Sequence, residues 1–465
     1  MQFIKRTLID ASAEEVFCWH ARKGAMERLS PPWDRVELLE RDGGLEPGAR
    51  VKLRVHTGPV SLLWLAEHGP MEQGRMFSDH QLAGPFARWE HVHRFEPQGE
   101  KCVLEDRIDY QLPLGALGNT LGRRFVQNKL ESAFAYRHAV TAADIAAHLA
   151  AKGVKAMRIL ITGASGLVGR ELKSFLSAGG HEVKTLGRTR ADIIWNVERN
   201  ALSVADLEGF DAIVHLAGAN VGQRWTRKHR ADIYDSRING TGLLSQALKQ
   251  LKHPPKVFVC ASAVGIYGDR ADESLDEGSS HGGGFLASVC RAWEQACQPA
   301  IEAGIRVVNL RFGIILSPRG GALGKMLLPF KLGLGTNLGS GRQWMSWVSI
   351  DDAIGAIHHA IVSESLRGPV NVTAPEPVTN REFTKTMGKV LLRPVIWFLP
   401  WFVTALPMRL ILGEMADQML LGGARVLPKQ LQATGYKFRH TTLEAALRHV
   451  LGKRGHVAAP TLSKA

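Results

Sequence analysis

The sequence predicts two domains in tandem. The first is an α+β unit in which two helices grip a curved antiparallel sheet. The second is an α/β unit on a doubly wound parallel sheet. Three observations carry this. At 465 residues and 45% hydrophobic content, the chain is too long for one ordinary domain and apolar enough for two large cores. Between Val36 and Tyr110, short strand-like runs alternate with turn signals such as Asp42-Gly-Gly44, Pro47-Gly48 and Pro97-Gln-Gly99. From Arg158 onward, apolar strands alternate with helical patterns, the mark of a parallel sheet.

Taken in order, Phe3 to Ile9 reads as a strand, and Ser12 with Glu15 as a capping box for a helix carrying Val16, Phe17 and Trp19. Leu29-Ser-Pro-Pro-Trp33 ends that helix. The antiparallel strands follow. After Pro113-Leu-Gly115, a long helix to about Ala151 places Leu117, Leu121, Phe125, Leu130 and Phe134 at helical spacing, an apolar face that must pack on something. His91 and His93 share one strand face and would seed a metal site, but no third ligand is evident. A cross-strand polar ladder is the favoured reading, and no metal site is assigned.

This order of elements, together with Leu29-Ser-Pro-Pro-Trp33, the Asp79 to His91 stretch and Leu104-Glu-Asp-Arg-Ile-Asp-Tyr110, resembles the START-like (polyketide-cyclase-like) helix-grip family over residues 1–150. The resemblance implies a hydrophobic ligand, lipid-like or aromatic, held between sheet and long helix. A cavity filled by the protein's own side chains is the alternative. Amphipathic pattern fades at 151–156, which reads as a linker; 157–375 is then the parallel-sheet domain, 376–451 the helical domain, and 452–465 a basic tail expected to be disordered.

Arg158 to Arg170 runs Arg-Ile-Leu-Ile-Thr-Gly-Ala-Ser-Gly-Leu-Val-Gly-Arg, a strand entering a Gly-x-x-Gly-x-x-Gly turn. Gly163 permits the sharp turn, Gly166 removes the Cβ that would block a pyrophosphate, and Gly169 lets the helix lie close on the sheet. Backbone N–H groups around Ser165 and Leu167, with the helix dipole, then face an anion. The competing reading is a merely structural turn. At the end of the next strand, Gly187-Arg188 offers a cation where an NAD enzyme would place a carboxylate, so NADP(H) is favoured over NAD(H), with Arg190 as a second cation. Against this stand a merely solvated arginine and the nearby Asp192. A third strand leaves through the small residues of Leu216-Ala217-Gly218, and a fourth, Val257 to Gly268, carries Ser262 at its mouth.

These motifs resemble the extended short-chain dehydrogenase/reductase superfamily, a Rossmann fold. Phe285 to Glu294, Arg311-Phe-Gly313, Gly339 to Trp347 and Arg425-Val-Leu-Pro-Lys429 narrow the likeness to its atypical epimerase branch, whose C-terminal helices form a substrate or lid domain. The resemblance implies that Ser262 assists a Tyr-x-x-x-Lys pair that moves the hydroxyl proton. That pair is missing: four residues after Tyr110, Tyr136, Tyr234, Tyr267 and Tyr436 stand Leu114, Val140, Ile238, Ala271 and His440. By spacing, Leu286 and Cys290 occupy the two places, and Glu294, Asp272 and Cys290 are the candidate replacement acids. Arg342 is the cation expected to meet an anionic small-molecule substrate, or else an arginine stacked between Trp344 and Trp347. Two readings stay open: an NADP(H)-dependent epimerase-like oxidoreductase, and an NADPH-sensing protein of little turnover that regulates a lipid-like cargo.

Bulk properties limit the alternatives. Net charge is +14, with 19 basic and 20 acidic residues up to Ala150 and 39 and 24 beyond it. The basic residues form no run of five, so nucleic-acid binding is not expected. Five cysteines without a Cys-x-x-Cys pair indicate neither zinc nor a disulfide framework, and with no signal peptide in view a cytoplasmic location is expected. Pro394 to Leu412 is the most apolar stretch, but Pro400, Pro407 and Arg409 interrupt it, so buried or lid helices are expected rather than stable membrane insertion.

Overall fold

A computed structural model describes residues 1–57, 60–151, 155–396 and 399–453, without the side chains of Thr57, Ala116, Leu117, Asn119 and Leu121. The expectations for Leu117 and Leu121, for the middle of the linker and for the tail beyond Lys453 therefore lie outside the described residues. Two compact units divide the chain: Met1–Ala21, Leu29–Ala142 and the residues from Glu444 on form the first, and Arg22–Arg28 with Ala143–Leu443 the second. This differs from borders at 150 and 376 in three places. Arg22–Arg28, the last turns of the long helix and the segment 376–443 all group with the parallel sheet.

Buried charge accounts for the first two differences. Arg28 is 1% exposed and sends Nε and Nη2 to Asp144 at 2.8 and 3.0 Å and Nη2 to Asp351 at 2.7 Å. A guanidinium taken out of water must keep its carboxylates, so these segments stay together. Gly24, at φ +91°, lies so close to Ser174 that a Cβ would sit 2.3 Å from its carbonyl oxygen.

In the first unit, β1 (Gln2–Ile9), α1 (Ala13–Ala21), β2 (Arg35–Asp42), β3 (Arg50–Thr57), β4 (Val60–Glu72), β5 (Met76–Ala83), β6 (Arg88–Gln98) and β7 (Lys101–Gln111) lead into the long α3 (Gly115–Ala150); α2 (Ala25–Arg28) belongs to the second unit. The seven strands form one antiparallel sheet in the order β1-β7-β6-β5-β4-β3-β2. Ser12 caps α1 as expected, its Oγ accepting from the Glu15 N–H at 3.2 Å. Phe3, Trp89, Ile108, Tyr110, Leu130 and Phe134 pack between sheet and α3. Phe125, expected on that face, is instead 57% exposed, and Leu62 of β4, on the same sheet face as Trp64, is 38% exposed. The helix therefore covers one half of the sheet and leaves the other open.

In the second unit, β8 (Arg158–Thr162), α4 (Leu167–Ala178), β9 (Glu182–Gly187), β10 (Ile193–Ile194), β11 (Ala212–His215), α5 (Arg227–Lys249), β12 (Val257–Ala263), α6 (Phe285–Gln295), β13 (Arg306–Phe312), α7 (Ile350–Val362) and β14 (Gly368–Val372) build a doubly wound sheet. Its order is β10-β9-β8-β11-β12-β13-β14, all parallel. Ile159, Ile161, Val214, Val259, Leu310 and Val370 are fully buried, which is why these strands read as continuous apolar runs instead of alternating. The C-terminal helices α8 (Asn380–Leu391) and α9 (Trp401–Leu412) follow; Thr379 and Glu382 form a complete capping box on α8. Of the buried or lid helix expected at α9, the buried alternative is not met. Only Thr404 and Ala405 are buried, while Trp401, Phe402, Leu406, Leu410 and Ile411 are exposed. Among the described residues no helix is long and apolar enough to cross a membrane.

Candidate nucleotide and active site

Strand order reverses between β8 and β11, and their carboxyl ends open the crevice where ligands of such sheets bind. The glycine turn sits there. Gly163 has φ +69°, and a Cβ on it would lie 2.7 Å from the carbonyl carbon of Leu216 and 2.8 Å from the nitrogen of Ala217. On Gly169 a Cβ would meet the Gly163 carbonyl oxygen at 2.3 Å, so helix α4 reaches the turn only because that position is glycine. Ser165 and Gly166 stay exposed at the mouth, whereas Leu167 is half-buried against Gly320 and Gly321. Thr162 Oγ1 accepts from the N–H groups of Leu216 and Ala217 at 3.1 and 3.2 Å, which locks the two strand ends together. At Gly218 the crowding is with a side chain: a Cβ there would lie 3.1 Å from Cζ of Arg237.

Arg188 is exposed and has no ion-pair or hydrogen-bond partner among the described residues. Arg190 beside it has φ +50°. Asp192 is engaged elsewhere, its Oδ2 accepting from the N–H and Oγ1 of Thr185 at 2.8 and 2.7 Å. These hydrogen bonds hold its pKa below the usual carboxylate range. The carboxylate that would have suited a ribose diol thus serves the turn, and the cradle fits a dinucleotide with a free cation at the end of β9.

At the mouth of β12, Ser262 is 3% exposed and donates to Glu294 Oε1 at 2.7 Å. Arg311 of β13 forks onto the same carboxylate, Nε to Oε1 and Nη2 to Oε2, both at 2.9 Å. Burial opposes the charge of Arg311, but the bonds and charge of Glu294 and its contact with Tyr267 outweigh this and raise its pKa. On α6, Leu286, Cys290 and Glu294 follow one another at four-residue spacing and share one helix face. Leu286 sits over Gly265, and Cys290 is buried with its thiol pushed up to about 11 by desolvation and by Glu294. A thiol so protonated is no base at neutral pH, which removes it from the candidate bases. Tyr267 is removed as well: fully buried, it accepts from Arg311 and donates to Asn371 Oδ1 at 2.8 Å, and burial raises its pKa.

Asp272 accepts from Trp344 Nε1 at 2.8 Å and is not joined to this network. The arginine stacked on tryptophan is Arg425, 4.7 Å from the Trp344 ring centre, and not Arg342, which is exposed. Trp347 is fully buried and donates to the Glu376 carbonyl, so it does not line the crevice. Arg311 was missed as a site residue in sequence because its pairing with Glu294 spans two strand-helix units, although the Arg-Phe-Gly motif marked its position.

Comparison with known proteins matches residues 159–372 to the NAD dependent epimerase/dehydratase family, 9–135 to the polyketide cyclase / dehydrase and lipid transport family, and 403–450 to a domain of unknown function. An epimerase family protein of Mycobacterium bovis is 41% identical over 302 residues, covering 64% of this chain and 98% of its own. A solved structure described as the nucleoside-diphosphate sugar epimerase of Corynebacterium glutamicum matches at 32% identity and TM-score 0.78 over 97% of this chain and 90% of that one. The human epimerase family protein SDR39U1, solved with NADPH, matches at 34% identity and TM-score 0.58 over 63% of this chain and 99% of that one.

Proposed function

Since the chain belongs to the NAD-dependent epimerase/dehydratase family, we propose that it is an NADP(H)-using oxidoreductase in which Ser262 and Glu294 handle the substrate's hydroxyl proton in place of a Tyr/Lys pair. The observation that carries this is the Ser262–Glu294–Arg311 network at the strand mouth. A nicotinamide cofactor, when bound at the glycine turn, supplies hydride transfer. Ser262 is the group that meets the substrate hydroxyl; as that proton leaves, Ser262 passes its own to Glu294. Arg311 keeps Glu294 Oε1 aimed at the serine; in the reducing direction, assayed as NADPH oxidation, the protons run the other way, from Glu294 through Ser262 to the substrate's carbonyl oxygen.

NADP(H) preference is supported by the free Arg188, by the engagement of Asp192 and by the relative solved with NADPH. A nucleoside-diphosphate sugar is the substrate class we assign, on the description of the Corynebacterium relative; exposed Arg342 would meet its charge. The first unit would hold a hydrophobic ligand on the open half of its sheet, where Leu38 and Leu62 stay exposed on the face that carries Trp64, in keeping with its family match.

The test is NADPH oxidation against ketones, aldehydes and nucleotide sugars. A positioned acid/base is worth roughly 10²- to 10⁴-fold, so Glu294→Gln should lower turnover by about a hundredfold or more while NADPH affinity stays unchanged. Turnover indifferent to both Glu294→Gln and Ser262→Ala would overturn the assignment. Tightly bound NADPH that no substrate oxidises would favour instead a nucleotide-sensing protein that regulates the ligand of the first unit.

A further inference from the structure

We propose that Asp79, His91 and His93, inside the first unit, form a binding site for a divalent transition-metal ion, with Asp106 as the carboxylate that orients both imidazoles. Sequence reading stopped at two histidines; the sheet register supplies the rest. Asp79 of β5 stands directly opposite His91 of β6, and His93 directly opposite Asp106 of β7. The polar ladder expected there is present, and it is also a donor set.

The two nitrogens of each ring have different roles. His91 Nε2 is 2.9 Å from Asp106 Oδ1, while its Nδ1 faces Asp79 Oδ2 at 3.2 Å. His93 Nδ1 lies 2.6 Å from Asp106 Oδ1, off the axis of a straight hydrogen bond, and its Nε2 faces the same Asp79 oxygen at 3.9 Å. His91 is therefore held on one side by a hydrogen bond to Asp106, His93 meets the same carboxylate by close approach alone, and the other sides of both rings converge with Asp79. Such carboxylate–histidine pairs are how proteins fix the tautomer and orientation of metal ligands. Bonds of about 2.0 to 2.2 Å to one ion put ligand atoms roughly 3.0 to 3.6 Å apart; the 3.2 Å pair lies in that range, the 3.9 Å pair just beyond it, and all three ligand atoms are within 4.8 Å of one another. Two imidazoles and one carboxylate suit zinc or ferrous iron and leave coordination positions open.

The donor set is largely shielded from water: side-chain exposures are 4% for His91, 10% for His93 and 4% for Asp106, with Asp79 partly accessible at 19%. Asp106 also accepts from His138 Nε2 at 2.6 Å, and His138 in turn meets Thr7, so the orienting carboxylate is itself anchored. Phe77 stacks on His93 at 4.1 Å. A second histidine group, His148, His181 and His358 in the other unit, lacks this arrangement. There His181 Nδ1 accepts from the Met157 N–H, and His148 Nε2 is turned to the Phe175 carbonyl.

The experiment uses the full chain, stripped with chelator and titrated with Zn²⁺ by calorimetry and with Co²⁺ by visible absorption. One ion per chain is expected, with Asp79→Asn and His93→Ala each weakening binding by at least about a hundredfold and Asp106→Asn by about tenfold to a hundredfold. His181→Ala should bind as the parent does. X-ray absorption of the zinc-loaded parent, which needs no variant to fold, should show two imidazoles with oxygen donors. A parent that takes up no ion, binding that survives both Asp79→Asn and His93→Ala, or a three-imidazole spectrum would each overturn the proposal.

Discussion

Replacing Arg28 by methionine should cost the second unit about 3 to 5 kcal/mol, because it removes one partner of a buried ion network while keeping most of the side-chain stem. Arg28 is 1% exposed, and Asp144, beneath it, is fully buried. Asp144 takes two bonds from Arg28 and one from Arg439 at 2.8 Å, and Asp351 takes a further one from Arg28 at 2.7 Å. An exposed pair would give only about 0 to 1 kcal/mol; here water cannot replace the lost cation, and the larger range applies. The sign of the pH dependence follows from Asp144. Its burial raises the pKa, but Arg28 and Arg439 overcome this and leave it depressed. A carboxyl depressed in the folded state contributes stability above its unfolded pKa of about 3.9 and loses it as pH falls through the folded value. The gap between parent and variant should therefore be widest at neutral pH and shrink below about pH 4. Amide exchange of β12 reports on the second unit alone and measures its opening free energy at both pH values. A loss under about 1 kcal/mol at pH 7, or an undiminished gap in acid, would refute the reasoning.

Three further outcomes are expected. Arg188→Ala should weaken NADPH about tenfold to a hundredfold and leave NADH unchanged, since a charge-assisted contact to a 2′-phosphate contributes roughly 1.5 to 3 kcal/mol; titration by cofactor fluorescence checks this, and equal losses for both cofactors would sink it. Gly169→Ala puts a Cβ 2.3 Å from the Gly163 carbonyl oxygen, so α4 must move off the turn, and binding of both cofactors should fall together by about tenfold or more. Cys290→Ala should leave any NADPH-dependent turnover within about twofold, because the proposed proton path runs through Ser262 and Glu294 and a thiol pushed up by burial is no base at neutral pH; a large loss would make Cys290 the acid instead.

Much of this protein was legible as a string of residues, because what was legible is local. The Gly163, Gly166 and Gly169 spacing states a steric need of the turn itself, and Gly163 adopts φ +69° where a side chain would collide. The buried strands announced themselves as apolar runs, and Ser12 with Glu15 marked a helix start that the backbone then used. The absent Tyr-x-x-x-Lys pair could also be read directly, since four-residue spacing on α6 is a property of one helix. What the chain order could not show were partners brought together from far apart. Arg28 meets Asp351 across 323 positions, and no periodicity encodes that meeting. Asp79 faces His91 only through the register of β5 on β6, and a slip of one residue would turn it to the other side of the sheet. Phe125 was misplaced for the same reason: helical spacing says which side chains share a face, but only the packing of the sheet beneath decides how far along the helix that face is covered.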